Sequence, residues 1–176
     1  MIYDFSFQNP TRIHFGKSSL NKLSKELSEY GPNILLIYGK ASIKKIGLYD
    51  QVMDILKTSN KNVVELAGIN ANPRYTQLLE GARLVREHNI DLILAVGGGS
   101  VIDCAKGIAC AAYAEGDVWQ RYYVNQEPVT NRVIPVGSIL TMAGTGSEMN
   151  SGSVITNEAE NLKIGRVYPL ALVTPR

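Results

Sequence analysis

The chain has 176 residues, of which 45% are hydrophobic and 19% charged, and this composition is typical of a single soluble globular domain. The formal net charge is only +2 and no block of lysine or arginine occurs, which argues against a nucleic acid or an anionic membrane as a partner. No apolar stretch approaches the roughly 20 residues that span a bilayer, and the first residues lack the basic and apolar regions of a signal peptide. We therefore expect a cytoplasmic protein.

Predicted strands and predicted helices alternate along the chain. Two weakly alternating segments, 2–7 and 11–15, predict an N-terminal β-hairpin. Beyond the hairpin, continuous apolar runs alternate with segments whose apolar residues recur at helical spacing. The predicted strands cover 34–38, 63–66, 92–96 and 133–136, and the predicted helices cover 20–30 (capped by Ser18 or Ser19), 48–56, 75–85 and 101–114. This alternation predicts an α/β fold with a parallel sheet that carries helices on both faces.

The two cysteines, Cys104 and Cys110, lie six residues apart on one predicted helix. Six residues turn a helix by about 600°, so the two thiols point to different sides and are too far apart for a disulfide. We expect both thiols to be reduced and buried.

The run 92–103, LILAVGGGSVID, is the most informative stretch of the sequence. Five apolar residues suit a buried strand, three glycines allow unusual backbone angles, and Ser100 can cap the helix that follows. Such a turn presents free N–H groups and the positive end of a helix dipole, a cradle for phosphate. The spacing departs from G-x-G-x-x-G, because Ile102 stands where the third glycine should be. Alone, the run is as consistent with a tight turn as with a phosphate site; the apolar helix and a second Gly/Thr/Ser loop, 141–148, favour binding.

Three unusual loops, 38–42, 97–100 and 141–148, follow predicted strands and should converge on one edge of the sheet, where ligands of such folds bind. Asp103 has two interpretations that the sequence leaves open: a favourable charge at the helix N-terminus, or an acceptor that shapes the glycine turn or contacts a ribose. The 141–148 loop offers hydroxyls, amides and one glutamate, which suits the lining of a cofactor site better than catalysis.

The sequence offers little for metal binding or covalent catalysis. Its two histidines, His14 and His88, are expected to be surface or structural residues. No His/Cys/carboxylate cluster has metal-ligand spacing, and no Ser-His-Asp arrangement can be assembled. The residues alone therefore predict a cofactor site, with no catalytic and no metal-binding residue assigned.

Four segments together resemble the iron-containing (group III) alcohol dehydrogenases. These are AVGGGSVIDCAKGIA at 95–109, TMAGTGSEMN at 141–150, GKASIKKIGLYDQV at 39–52 and Asn-Pro-Arg at 72–74. The match runs in order from about residue 1 to 163, and it is similar above all to the branch of butanol dehydrogenases and NADPH-dependent aldehyde reductases. The resemblance implies that residues 1–176 are the Rossmann-like NAD(P)-binding domain of that family.

The resemblance also implies roles for individual residues. The glycine turn would hold the pyrophosphate with Asp103 supporting it, the 141–148 loop would line the nicotinamide side, Lys163 would approach the ribose, and the first loop would lie at the adenine ribose. The cofactor residues so implied are Gly39, Ser42, Asn72, Gly97, Gly98, Gly99, Ser100, Asp103, Thr141, Thr145 and Lys163. NAD-specific relatives often carry an aspartate where this chain has Gly39, and Lys40 follows here, which favours NADP(H) over NAD(H).

In the resembled family, a helical C-terminal domain holds Fe²⁺ or Zn²⁺ through one aspartate and three histidines, beside a small alcohol or aldehyde. All of these ligands would lie beyond Arg176, so the chain alone is expected to be an inactive, truncated form, natural or deliberate. The expected function is therefore hydride transfer between NAD(P)H and a metal-bound alcohol or aldehyde, reduced here to the cofactor-binding half. The alternatives are a non-catalytic nucleotide-binding or self-associating module, such as a homo-oligomer, and a decayed gene product.

Overall fold

A computed structural model of the chain describes residues 9–169 and centres on a four-stranded parallel sheet in the order β2-β1-β3-β4. The strands are β1 (Asn33–Tyr38), β2 (Asn62–Leu66), β3 (Leu92–Gly97) and β4 (Val136–Leu140). The α-helices are α1 (Leu23–Leu27), α2 (Ser42–Lys45), α3 (Leu48–Thr58), α4 (Tyr75–Glu87) and α5 (Gly99–Ala111). The predicted α/β fold is confirmed. Within residues 9–169, no helix is both long and apolar enough to cross a membrane.

The two central strands are buried because helices cover both faces of the sheet. Along β1, Leu35 and Ile37 pack into a core with α4 and α5, whereas Ile34 and Leu36 pack into a second core with α1 and α3. All four side chains are 0% exposed. This burial on both faces explains why the strands read as continuous apolar runs rather than as alternating ones.

Helix α5 begins two residues earlier than predicted, at Gly99, so Gly98 is its N-cap. The prediction that Ser100 caps this helix is therefore wrong, because Ser100 is the second helical residue. Its hydroxyl instead donates a hydrogen bond to the Ala71 carbonyl at 2.6 Å. The glycine turn is thus tied to the segment that connects β2 with α4.

Other boundaries also differ from the predictions, including the end of α5 at Ala111 rather than at residue 114. The fourth strand starts at Val136 rather than at residue 133, since Pro135 has no N–H to donate to a neighbouring strand. The first helix is split into a 3₁₀ turn, Ser19–Lys22, and the short α1, and no side-chain cap bond forms at Ser18. The first strand of the predicted hairpin, 2–7, lies outside the described residues, and its second, 11–15, has no regular structure.

The short helix α2, a π-helical turn and an antiparallel ribbon were not predicted. A π-helical turn, Trp119–Val124, packs under α5, and an antiparallel ribbon of β5 (Gly152–Asn157) and β6 (Leu162–Val167) follows the 141–151 loop. The ribbon joins the main body where the Thr156 N–H donates to the Pro73 carbonyl at 2.9 Å. It thereby lies beside the start of α4, at the same edge as the glycine turn.

Replacing Gly107 by alanine should lower the free energy of unfolding by about 1–2 kcal/mol, because overpacking outweighs the better helix propensity of alanine. A Cβ at Gly107 would lie 2.6 Å from Leu78 Cδ1 and 2.9 Å from the Tyr123 hydroxyl. At Gly165, the nearest atom would be Val154 Cγ2 at an ordinary 3.7 Å. Urea unfolding of the two alanine variants checks this, and an equal loss of stability at Gly165 would contradict it.

Candidate functional site

The predicted loops do converge on the carboxyl edge of the sheet. The Thr141 N–H donates to the Gly97 carbonyl at 3.0 Å, directly past the paired ends of β3 and β4. The Gly39 carbonyl accepts from the Gly68 N–H at 3.1 Å, past the ends of β1 and β2. The edge is therefore continuous from the first loop to the 141–151 loop.

The glycine turn, residues 97–100, borders a cavity of about 510 Å³ at this edge. A Cβ built on Gly98 would contact only Met142 Cε, at 3.8 Å, so a side chain there would occupy the cavity. The N–H groups of Gly99 and Ser100 open helix α5 and have no acceptor within the helix. The cavity is lined by Lys40, Ile69, Asn70, Ala71, Gly98, Gly99, Ser100, Val101 and Met142.

A second cavity, of about 490 Å³, adjoins the first, since Asn70 and Ala71 line both. Here the Lys163 ammonium donates a hydrogen bond to Asn72 Oδ1 at 2.8 Å, which brings together two of the residues singled out in the sequence. The remaining lining residues are Arg74, Thr156, Glu158, Asn161 and Leu162. The two cavities form one extended groove, with Lys40 in the first half and Lys163 and Arg74 in the second.

Thr145 lies against the glycine turn and explains why Gly99 has no side chain. A Cβ at Gly99 would lie 2.5 Å from Thr145 Oγ1 and 3.1 Å from Ser147 Oγ. These two hydroxyls are hydrogen-bonded to each other at 2.8 Å. The 141–151 loop therefore packs directly on the backbone of the turn.

Asp103 is a hydrogen-bond acceptor, but its donors lie outside the glycine turn. Its carboxylate accepts from Ser147 Oγ at 2.9 Å and from the Val154 N–H at 3.2 Å, and its carbonyl accepts from Ser153 Oγ at 2.8 Å. Burial raises the pKa of Asp103, although the bonds from Ser147 and Val154 and the nearby Lys106 charge oppose this rise. Asp103 thus supports the turn indirectly, through the loop that packs on it.

Sequence reasoning missed Lys106, because the helix around it is otherwise apolar. Its side chain is 0% exposed, and its ammonium donates to the Asn150 carbonyl at 2.6 Å, to Asn150 Oδ1 at 3.0 Å and to the Gly152 carbonyl at 3.1 Å. Burial lowers the pKa of Lys106 to about 8 against the opposing charges of Asp103 and Glu148. The available signal was a lysine three residues after an aspartate inside an apolar helix.

Ser42 and Gly39 lie at the far end of the groove. Ser42 is the exposed first residue of α2 and lines neither cavity. A Cβ at Gly39 would lie 3.7 Å from the carbonyl of Ile69, which does line the first cavity. Next to them, the carboxylate of Glu65 accepts hydrogen bonds from the Tyr38 and Tyr49 hydroxyls at 2.6 and 3.0 Å.

No group of three or more His, Cys, Asp or Glu side chains suited to a metal occurs within residues 9–169. His14 contacts Glu26 Oε1 at 3.1 Å on the surface, and His88 is the C-cap residue that follows α4. Cys104 and Cys110 are both free and buried, as predicted. Burial raises the pKa of the Cys104 thiol to about 12, so this thiol is unreactive.

The model of the iron-containing alcohol dehydrogenase family matches residues 10–174. The chain belongs to the iron-containing alcohol dehydrogenase family. It is 48% identical over 169 residues to the probable NADH-dependent butanol dehydrogenase 1 of Bacillus subtilis, with 96% of this chain and 43% of that protein covered. It is 41% identical to the NADPH-dependent aldehyde reductase YqhD of Escherichia coli, with 88% and 40% covered.

Among solved structures, the crystal structure of NADH-dependent butanol dehydrogenase A from Thermotoga maritima matches with a TM-score of 0.89 and 36% identity. That match covers 98% of this chain and 43% of the crystallised chain. The family and its butanol dehydrogenase and aldehyde reductase branch are thus confirmed. The chain spans about two fifths of the length of these relatives.

Proposed function

We propose that residues 1–176 form the NAD(P)-binding domain of an alcohol dehydrogenase or aldehyde reductase. The observation that carries this proposal is the glycine turn at the start of α5, which opens into a groove with no side chain in the way at Gly98. The free N–H groups of Gly99 and Ser100 and the positive end of the helix suit a pyrophosphate. A cytoplasmic location and a small alcohol or aldehyde substrate belong to the same proposal.

We assign the parts of a dinucleotide to residues that line the groove or lie beside it. Thr141 and Thr145 border the nicotinamide side, where their loop packs on the turn. Lys163 and Asn72 form a polar pair suited to ribose hydroxyls. Gly39 and Ser42, at the end of β1, would lie beside the adenine ribose.

The end of β1 also supports a preference for NADP(H). Gly39 places no carboxylate there to accept bonds from a ribose 2′-hydroxyl, and Lys40 supplies a cation to the cavity. The neighbouring carboxylate of Glu65 is occupied by two tyrosine hydroxyls. Relatives named for NADH and for NADPH both occur, so this preference rests on the residues of this chain.

A bound nicotinamide would supply or accept the hydride, and the residues of this chain would bind and orient it. The metal site of the resembled family takes three histidines, whereas this sequence has two in all, and they are His14 and His88. We therefore propose that the 176 residues hold the hydride carrier but do not by themselves polarise a carbonyl.

We expect the purified 176-residue chain to bind both nicotinamide cofactors saturably and NADPH more tightly than NADH, as followed by nicotinamide fluorescence. Metal-dependent reduction of butanal should be undetectable with added Fe²⁺ or Zn²⁺. Absence of binding would favour the self-associating module, which light scattering detects. Tighter binding of NADH would overturn the cofactor preference, and butanal turnover would overturn the proposed inactivity.

A further inference from the structure

Helix α5 carries an acid and a base on one face. Asp103 and Lys106 are three residues apart, a spacing that places two side chains on the same side of a helix. Both side chains reach the 141–151 loop or its junction with β5. The helix whose first residues form the glycine turn therefore also holds the loop that packs on the turn.

Within residues 9–169, the Lys106 ammonium bonds only to the carboxyl end of this loop and to Gly152, the first residue of β5. A lysine ammonium has three N–H donors, and all three acceptors here belong to Asn150 and Gly152. Asn150 in turn donates from Nδ2 to the Thr145 carbonyl at 3.1 Å. A short chain of contacts thus runs from Lys106 through Asn150 to the residue that lies against Gly99.

A buried ammonium contributes little net free energy to folding, because the cost of its desolvation offsets much of the energy of its hydrogen bonds. The charged groups that bear on it are Asp103, on its own helix, and Glu148, in the loop. Because its acceptors lie at the end of the loop and at the start of β5, the ammonium is placed to hold the loop in position.

The loop is held at Thr141, at Ser147 and at its carboxyl end, and it is exposed between the first two of these. At the carboxyl end, the carbonyls of Met149 and Ser151 also accept hydrogen bonds from the Asn9 side chain at 2.6 Å and from the Tyr168 N–H at 3.1 Å. The Thr141 N–H is bound to Gly97, Ser147 is bound to Asp103, and Asn150 is bound to Lys106. The stretch 141–145 between the first two anchors is exposed, and it carries the Met142 and Thr145 side chains over the turn.

We propose that Lys106 is a positioning residue for the dinucleotide site, whose ammonium fixes the carboxyl end of the 141–151 loop and so keeps Thr145 against the glycine turn. The proposal rests on the function proposed above, in which this loop lines the nicotinamide side. Lys106 itself lies behind the loop and is not assigned to the cofactor.

Methionine at position 106 tests the proposal, since it retains much of the length and removes the charge and all donors. Lys61 provides a matched control, because its ammonium also donates to backbone carbonyls, those of Tyr30 at 2.7 Å and Gly31 at 3.1 Å. Lys61 directly precedes β2 and lies at the opposite edge of the sheet from the glycine turn. The variants Lys106→Met and Lys61→Met are compared with the wild-type 176-residue chain in NADPH affinity and in amide hydrogen exchange.

Lys106→Met should weaken NADPH binding about tenfold, because charge-assisted hydrogen bonds that order the site are lost. Amide exchange should accelerate in residues 141–151 and not in β1 or β3. Lys61→Met should change the affinity less than about twofold, and Lys106→Arg, which retains the charge and donors, should restore part of the affinity. A folded Lys106→Met chain with unchanged affinity and unchanged loop exchange would overturn the proposal, as would an equal effect of Lys61→Met.

If Lys106→Met does not fold, Asn150→Ala is the deciding variant. It removes, at an exposed position, both a Lys106 acceptor and the donor to the Thr145 carbonyl, and so breaks the chain of contacts between Lys106 and Thr145. Faster loop exchange with weaker binding supports the anchor, and no change in either overturns it. A wild-type chain that binds neither NADPH nor NADH would contradict the proposed function. In that case the exchange of residues 141–151 still decides whether Lys106 anchors the loop.

Discussion

Replacing Gly99 by alanine is expected to weaken NADPH binding about thirtyfold, equivalent to about 2 kcal/mol. The φ angle of Gly99 lies outside the left-handed region, so alanine fits the backbone and the effect comes from the new methyl group. That methyl would lie 2.5 Å from Thr145 Oγ1 and 3.1 Å from Ser147 Oγ. Moving Thr145 Oγ1 away from this methyl group would break its hydrogen bond with Ser147, which is itself bound to Asp103.

Gly144 provides the control in the same loop. A Cβ built there has no atom within 4 Å, so Gly144→Ala should leave the affinity for NADPH within about twofold of the wild type. Fluorescence titration of both variants, with circular dichroism to verify folding, measures the difference. Equal affinities for Gly99→Ala and Gly144→Ala would show that the contact between the loop and the glycine turn does not shape the cofactor site.

The free energy of unfolding of the wild type, relative to that of Lys106→Met, should rise by about 3 kcal/mol between pH 8 and pH 10.5. Burial lowers the pKa of Lys106 from 10.5 to about 8 in the folded chain. Between these values the unfolded chain binds a proton that the folded chain has released, so stability increases with pH. The gain is complete above the unfolded pKa and is lost as the pH falls through about 8.

The quantity to measure is the difference in free energy of unfolding between the wild type and Lys106→Met, because other groups change the stability of both chains with pH in the opposite direction. Burial raises the pKa of Cys104 to about 12 and also raises that of Cys110 and Tyr168, so these groups ionise first in the unfolded chain and destabilise the fold as pH rises. Both chains share these contributions, which cancel. Denaturant unfolding at pH 8, 9 and 10 gives the difference, and a flat or falling difference would contradict the burial of the Lys106 charge.

The sheet and the glycine turn could be predicted because their signals are local. A continuous apolar run such as 92–96 indicates a strand buried on both faces. Glycines directly after the run indicate a turn whose backbone is not covered by side chains. The alternation of strands with helices then places the loops at one edge. The contact of Thr141 with Gly97 follows from that register alone.

The rest of the site depends on contacts between distant parts of the chain, which periodicity does not reveal. In the sequence, Lys106 only interrupts an apolar helix. The fold shows that Asn150, 44 residues away, accepts hydrogen bonds from its ammonium. Ser100 looks like a cap until the helix is seen to begin at Gly99. The antiparallel ribbon was missed because its strands are half exposed and poor in continuous apolar residues.

Helix α5 fixes the distance between the glycine turn and the two side chains that hold the 141–151 loop, Asp103 and Lys106. Its first turn faces the groove, and the next two turns hold the loop that closes over the first. One residue inserted between Ser100 and Asp103 would rotate both anchoring side chains by about 100° and advance them by about 1.5 Å relative to the turn. The same insertion between Ala143 and Gly144 would lengthen an exposed bend and leave Thr145 and Ser147 at their contacts with Gly99 and Asp103. We therefore expect a change in length to be tolerated in this bend and to disrupt the site when it falls within the first turn of the helix.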